Sequence, residues 1–425
     1  MTANGATKDE NIRLNIDSLI SKEVNFMETI FAYLPPRTNS PAGDPPPGLR
    51  AAIQPCLSVA EWPTGAGSPA LTDYTAREDA TAVSRLRQAG AALVGLTRSS
   101  EFGFGLDGSQ AGMAVRSGAA DLELVIDLTG ESRLAAARAG ICGFKPSWGI
   151  VSRYGLIGLI PSMECCGVLA GDVPPIREFL RAAAGPDERD FSLPDEETLD
   201  FSGGRIDAGE TTVGVVTEAL DSLTPEARGA FADSLSALTA AGFTLREVSI
   251  PDFPLFSLVH QIVGAVEASS SAGRYDSVRY GRRAAGAKNW NEMYLLSRGA
   301  AFGTLLKSYL FQGAFFQFQA YGAYDNACHL RARLLAAMAT ATAQADFLVL
   351  PGENPSAPAT AVTPEDIYAQ FSFTAFANVT GQPALYLPPP TGEARPGWQL
   401  TGPRRSDARL LAVGEYLQGI RQGGK

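Results

Sequence analysis

Apolar residues along this chain fall into two alternating rhythms, a helical spacing and short unbroken runs. After Asp79, which is placed to cap a helix, Val83, Leu86 and Ala89 line one face and Gly90 supplies the stop. Ala91–Gly95 follows as an apolar run of strand length. The order returns at Thr224-Pro225-Glu226, which opens a helix with Phe231, Leu235 and Leu238 on one face. Gly242 ends that helix and Thr244–Ile250 reads as a strand. Residues 300–345 carry the spacing of long helices, with Phe311, Phe315, Phe316 and Phe318 as an aromatic row expected to pack in the core. Asp346–Pro351 reads as a late strand. Helices alternating with buried strands predict an α/β fold with helices packed on a central sheet. Residues 1–33 read as a helical lead-in, the Pro/Gly-rich 34–48 as a linker or extended loop, and the acidic 185–210 as a loop.

Composition narrows the partners. The 425 residues are 45% hydrophobic, enough for a large buried core. A formal net charge of -10 with no Lys/Arg run makes nucleic acid and anionic membrane surfaces poor partners. Small molecules, a partner protein or a homodimer stay open. No window reaches the roughly 18 uncharged apolar residues of a membrane span, and the polar stretch Met1–Asn15 lacks the apolar core of a secretory signal. The odd number of cysteines, without regular spacing, fits a reduced, cytoplasmic setting. The only histidines are His260 and His329, and no CxxC or HxxxH occurs, so neither a metal site nor a cofactor is expected. His260, in an apolar stretch, is expected as a satisfied core or pocket histidine, and His329, on an Arg-rich helical face, as a solvated one.

Four collinear segments resemble the amidase signature family. Gly65–Gly95 (GAGSPALTDYTAREDATAVSRLRQAGAALVG) is similar to the stretch after the family's catalytic lysine. Gly143-Phe144-Lys145-Pro146-Ser147 with Gly149–Gly155 resembles GLKPT-GRVSRYG. Phe373–Pro388 (FTAFANVTGQPALYLP) resembles PANLTGLPALSLP, and Trp398–Pro403 (WQLTGP) resembles LQLIGP. Tyr275–Arg282 (YDSVRYGR) is similar to the family's tRNA-amidotransferase branch. The resemblance implies a single large α/β domain over residues 48–425, a mixed central β-sheet flanked by helices, after a lead-in and Pro-rich linker at 1–47. It also implies amide chemistry. In the family a serine attacks the carbonyl, and a second serine, in a cis peptide, relays its proton to a neutral lysine. Backbone N–H groups of a glycine-rich turn stabilise the oxyanion. A hydroxyl is too weakly acidic to attack without a base, and the turn needs glycines so that its N–H groups converge.

The chain departs from the family at the positions that carry this machinery. The lysine segment, VPVAVKDN, matches Leu49–Cys56 and places Gln54 at the lysine. A carboxamide hydrogen-bonds but has no accessible pKa for base work. GGSSGGS matches Asp107–Met113, where Ser109 fits the cis-serine position. TDTGGSIR matches Ile126–Arg133 and makes Asp127, Thr129 and Gly130 candidates to line a substrate site. Counting without gaps from Lys145 places Glu131 at the nucleophile, whereas aligning on the text TGES places Ser132 there and needs an insertion and a deletion. Lys145 belongs to the structural KPS turn. Cys165 and Cys166 lie where the family lines its site, but buried cysteines are usually inert packing.

These residues are compatible with different activities. An enzyme of altered chemistry would use Glu131, beside Asp127, as general acid or base on a small amide-like or amino-acid-derived metabolite, with Ser109 and Gln54 nearby. A non-catalytic pseudo-amidase would bind a ligand or partner protein and would be marked by a large exposed apolar surface. An amide hydrolase would act through Ser132 or Ser109 with a rebuilt base. The Ala/Gly/Arg-rich composition suggests a GC-rich bacterial source, and the divergent site a specialised-metabolite role.

Overall fold

The computed structural model describes residues 27–36, 48–193 and 198–423. The strands are β1 (Phe31–Tyr33), β2 (Arg50–Ile53), β3 (Ala92–Thr97), β4 (Leu122–Asp127), β5 (Cys142–Lys145), β6 (Cys165–Ala170), β7 (Thr212–Val216), β8 (Thr244–Val248), β9 (Phe347–Pro351), β10 (Ala384–Leu387) and β11 (Trp398–Thr401). They join in one sheet, in the order β1-β3-β2-β4-β6-β5-β10-β11-β9-β7-β8. The trios β3-β2-β4 and β9-β7-β8 are parallel, and the strands between them pair antiparallel. Parallel neighbours need a crossover. α1 (Thr81–Gln88) between β2 and β3 and α4 (Pro225–Ala240) between β7 and β8 supply it, which is the helix–glycine–strand rhythm of the sequence.

Helices of the fold include α1, α2 (Glu131–Ala139), α3 (Val173–Ala183), α4, α5 (Leu255–Ala272), α6 (Trp290–Ala301), α7 (Thr304–Phe318), α8 (Tyr321–Thr342), α9 (Pro364–Gln370), α10 (Ala375–Thr380) and α11 (Asp407–Gly423). Two cores form. One gathers Leu86, Phe179, Phe231 and Leu410 from α1, α3, α4 and α11; the other gathers Leu134, Val259, Tyr309, Leu334 and Phe376 from α2, α5, α7, α8 and α10. Every residue of β4, β5, β6, β9 and β10 is buried, as expected of strands covered on both faces. The chain is thus one large α/β domain on a mixed sheet. Among the described residues, no helix is long and apolar enough to cross a membrane.

Three local expectations are corrected. Helix in the lead-in extends only over residues 27–30 of the described part, and Phe31–Tyr33 is a strand on β3, because pairing there buries Phe31. Residues 1–26 of the lead-in and 37–47 of the linker lie outside the described residues. Asp79 does not cap α1; its Oδ1 accepts from Ala60 N at 2.7 Å and Oδ2 faces Arg87, so tertiary partners win over the helix end. The aromatic row is not core. α7 buries Leu306, Tyr309, Leu310 and Gly313, and the opposite stripe leaves Phe311, Phe315 and Phe318 exposed. At the sheet's ends, β1 is three residues long and β8 exposes Thr244, Arg246 and Glu247.

Candidate active site

β4 ends at Asp127, and the turn Leu128-Thr129-Gly130 leads into α2 at Glu131. Gly130 adopts φ 131°, and a Cβ there would collide with the Thr374 side chain, so this turn requires glycine. Three successive N–H groups converge as in an anion-binding nest. Their acceptor is the side chain of the next residue. Glu131 Oε2 accepts from Leu128 N and Thr129 N at 2.7 Å each and from Gly130 N at 3.1 Å, while Oε1 accepts from Gly105 N at 3.3 Å. Burial, and then the nearby Asp127 carboxylate, push the Glu131 carboxyl up to about 7, against the pull of those N–H groups.

A second layer fixes Asp127. Its Oδ1 accepts from Asn378 Nδ2 at 2.8 Å and faces Arg133 Nη2 at 3.4 Å; Oδ2 accepts from Ser132 N at 3.1 Å and from the Ser132 hydroxyl. Burial alone would raise the Asp127 carboxyl, but Arg133 and Lys145 outweigh it and hold it below the usual range. Arg133 also donates to Thr374 O, Gln399 Oε1 and Asn378 Oδ1 at 2.7–2.9 Å, tying α2 to α10 and β11. Lys145 is wholly buried and donates to Pro146 O at 2.9 Å; burial lowers its pKa.

The other sequence candidates are placed as follows. Gln54 prolongs the β2–β4 pairing, with its N–H on Leu124 O at 2.8 Å and its Oε1 accepting from Ile126 N at 2.7 Å. Ser109 is half-buried, its Oγ accepting from Ala111 N at 3.2 Å, and no peptide bond among the described residues is cis. Ser132 is buried against Gly167, where an added Cβ would come within 2.7 Å of the serine Cβ. Thr129 joins through its N–H, while its carbonyl accepts from Thr374 Oγ1 at 3.0 Å. Thus Asp127, Thr129, Gly130, Glu131 and Ser132 form one bonded cluster, and Gln54 and Ser109 direct their side-chain oxygens to backbone elsewhere. Cys165 and Cys166 are buried and burial raises both thiols, Cys165 to about 12, so thiolate chemistry is disfavoured. His329 is exposed beside Asp325.

A roof covers this cluster, and of its residues the sequence singled out His260, the buried histidine expected there, but neither Tyr309 nor Tyr368. His260 Nε2 donates to Leu128 O at 2.8 Å, because a carbonyl only accepts, so Nδ1 accepts from Tyr368 Oη at 2.8 Å. Tyr368 in turn accepts from Tyr309 Oη at 2.9 Å. Burial holds His260 neutral, near 4. Tyr309 stacks on Phe104, and Ile367 occupies the space where Gly105 would carry a Cβ. α9, which carries Ile367 and Tyr368, is fixed by a Thr363–Asp366 capping box. Cavities of about 340, 320 and 440 Å³ among the described residues are lined by other segments, without Gln54, Ser109 or Glu131. Among the described residues, no group of three or more His, Cys, Asp or Glu could hold a metal ion.

This strand–glycine turn–helix site, with its buried Asp127–Arg133 pair, lies in a fold of the amidase type, and the amidase family model matches residues 42–125 and 111–411. The chain belongs to the amidase signature family. A glutamyl-tRNA(Gln) amidotransferase subunit from Natronomonas pharaonis is 33% identical over 421 residues, covering 91% of this chain and 99% of the relative. Its counterpart from Haloarcula marismortui is 32% identical over 424 residues, with 91% and 98% covered. Among solved structures, an amidase superposes with a TM-score of 0.74 at 24% identity, covering 95% of each chain. The Thermotoga maritima counterpart of the two amidotransferase proteins superposes with 0.73 at 20%, covering 91% of this chain and 86% of that one. The two likenesses in structure establish the fold.

Proposed function

We propose that this amidase-family protein does not hydrolyse amides and instead serves as a binding protein within a complex. The observation that carries this reading is the Glu131 carboxylate accepting from Leu128, Thr129 and Gly130 N–H. Acyl transfer needs such donors free and aimed at a developing oxyanion. Here a tethered carboxylate holds them, and a substrate oxygen would have to displace it. Further support comes from Gln54, whose oxygen is committed to Ile126, from Ser132, which faces Asp127 inside the protein, and from the His260–Tyr368–Tyr309 roof. A binding role also suits the exposed row on α7 and the start of α8, where Phe311 is 71%, Phe318 73% and Tyr321 60% exposed. The two sequence relatives are amidotransferase subunits, which is consistent with a partner protein.

The test is incubation with glutamine and with simple aliphatic and aryl amides, and separately with a fluorophosphonate. No ammonia release and no adduct in the intact mass are expected. Ammonia release that disappears in Ser132→Ala or Ser109→Ala would overturn the proposal. One observation favours a second reading, in which Glu131 transfers protons. A carboxyl poised near 7 suits acid–base work at neutral pH. Turnover of an amide-like metabolite that Glu131→Gln abolishes would establish that reading instead.

A further inference from the structure

A cavity of about 340 Å³ lies away from the Glu131 cluster, between α4, the end of β9 and the segment entering β11. Its walls are mostly apolar, from Leu223, Phe231, Pro351 and Tyr386, and it is also lined by Arg395 and Glu353. Tyr386 is held as a fixed wall, since a Cβ on either Gly352 or Gly397 would collide with its ring or hydroxyl. Arg395 is the unusual member. Its side chain is only 10% exposed, yet its pairing within the protein is incomplete. Nε donates to Glu393 Oε2 at 2.6 Å and the guanidinium lies 4.5 Å over the Trp398 ring, but Nη1 is buried with no hydrogen-bond partner. A buried charged donor without an acceptor is costly.

The platform beneath Arg395 is rigid. Trp398 Nε1 donates to Ser234 O at 2.7 Å and Ser234 Oγ donates to Pro396 O at 2.6 Å, locking this segment to α4. The guanidinium is therefore oriented before any ligand arrives, by a stacked aromatic ring on one side and a carboxylate on its edge.

We propose that this cavity is a binding site for a small monocarboxylate with an apolar or aromatic body. The carboxylate would complete the guanidinium's hydrogen bonding, and the body would fill the space between Phe231, Leu223 and Tyr386. Glu353, exposed and lining the cavity, selects against a second negative charge on the ligand. The site is separate from Glu131, so it stands whether or not the chain acts on amides.

The test uses 3-phenylpropionate as probe, with 3-phenylpropanamide as neutral isostere and phenylsuccinate as dianion. Titration into the full-length, ¹⁵N-labelled wild-type protein is expected to shift the Trp398 indole N–H signal, assigned by Trp398→Phe. The neutral and dianionic compounds are expected to bind at least about tenfold more weakly. Arg395→Gln is expected to weaken 3-phenylpropionate by about tenfold or more, and Glu353→Gln to strengthen phenylsuccinate. Absence of any shift up to about 10 mM probe, equal binding of the amide, or undiminished binding in a folded Arg395→Gln protein would each overturn the proposal. If Arg395→Gln fails to fold, the wild-type comparison of the three compounds decides.

Discussion

Replacing Glu131 by alanine asks directly whether the glycine turn is occupied by its own chain. The substitution leaves the N–H groups of Leu128, Thr129 and Gly130 buried without their acceptor. Each orphaned donor costs about 1–3 kcal/mol, and water entering the vacated space recovers part of that, so a net loss of about 4 kcal/mol is expected. The loss should be largest near pH 5. There the wild-type carboxyl is protonated and carries no burial cost for charge, whereas above 7 its ionisation already weakens the wild type. Glu131→Gln keeps an amide oxygen for the same donors and should lose at most about 2 kcal/mol. The assay is urea denaturation at pH 5 and pH 8, followed by tryptophan fluorescence. Formate supplies a rescue arm: at about 100 mM with a Kd of about 10 mM it should return about 1.4 kcal/mol to Glu131→Ala and nothing to wild type. If Glu131→Ala unfolds at the wild-type midpoint and formate leaves it unmoved, the carboxylate is not the turn's acceptor. The case for a silent site then fails with it.

Glu123 and Glu131 are both pushed up to about 7, so the folded protein keeps protons that the unfolded chain releases above about 4.5. The unfolded state then binds fewer protons, and stability should fall as pH rises from about 4.5 to 7; the urea midpoint should follow, less steeply in Glu123→Gln, and a midpoint that climbs over this interval would refute the assignment. Tyr368→Phe removes the hydroxyl that donates to His260 and accepts from Tyr309, at an expected cost of about 1–3 kcal/mol. Hydrogen exchange in α9 should quicken, and unchanged protection there would show that the roof is held by packing alone. The triple change of Phe311, Phe315 and Phe318 to serine should leave stability within about 1 kcal/mol of wild type while lowering binding of a hydrophobic dye; a marked loss of stability would mean that this row is covered in solution.

Much of the architecture was legible because local signals agreed with tertiary need. Thr224 does cap α4, accepting from Ala227 N, and glycines at 90 and 242 sit at positive φ where the helices stop. The misplaced features are those in which a distant partner decided the outcome. Asp79 had the residue type of a cap, but Ala60 N and Arg87 claimed it. The phenylalanines of α7 have core-like composition, but the spacing of Phe311, Phe315 and Phe318, i, i+4 and i+7, sets them on a stripe opposite Leu306, Tyr309 and Gly313. At the site, the ungapped count set Glu131 at the family's nucleophile position; in the fold it directly follows Gly130 as the first residue of α2. That its carboxylate folds back onto the turn depends on backbone angles that residue identity does not specify. The roof was illegible for a similar reason: His260, Tyr309 and Tyr368 are far apart in sequence, and no spacing rule joins them.

The sheet's two ends limit how this molecule can meet another. An edge strand offers a ladder of backbone groups to which a foreign strand can add. Among the described residues, β1 is too short to template such an addition, and β8 sets Thr244, Arg246 and Glu247 along its length. Backbone zippering is therefore disfavoured at both ends, and association is left to side chains meeting on helices. Contacts of that kind are specific to shape, so single substitutions on a helix face should govern assembly, and changes along the strand edges should pass almost unnoticed.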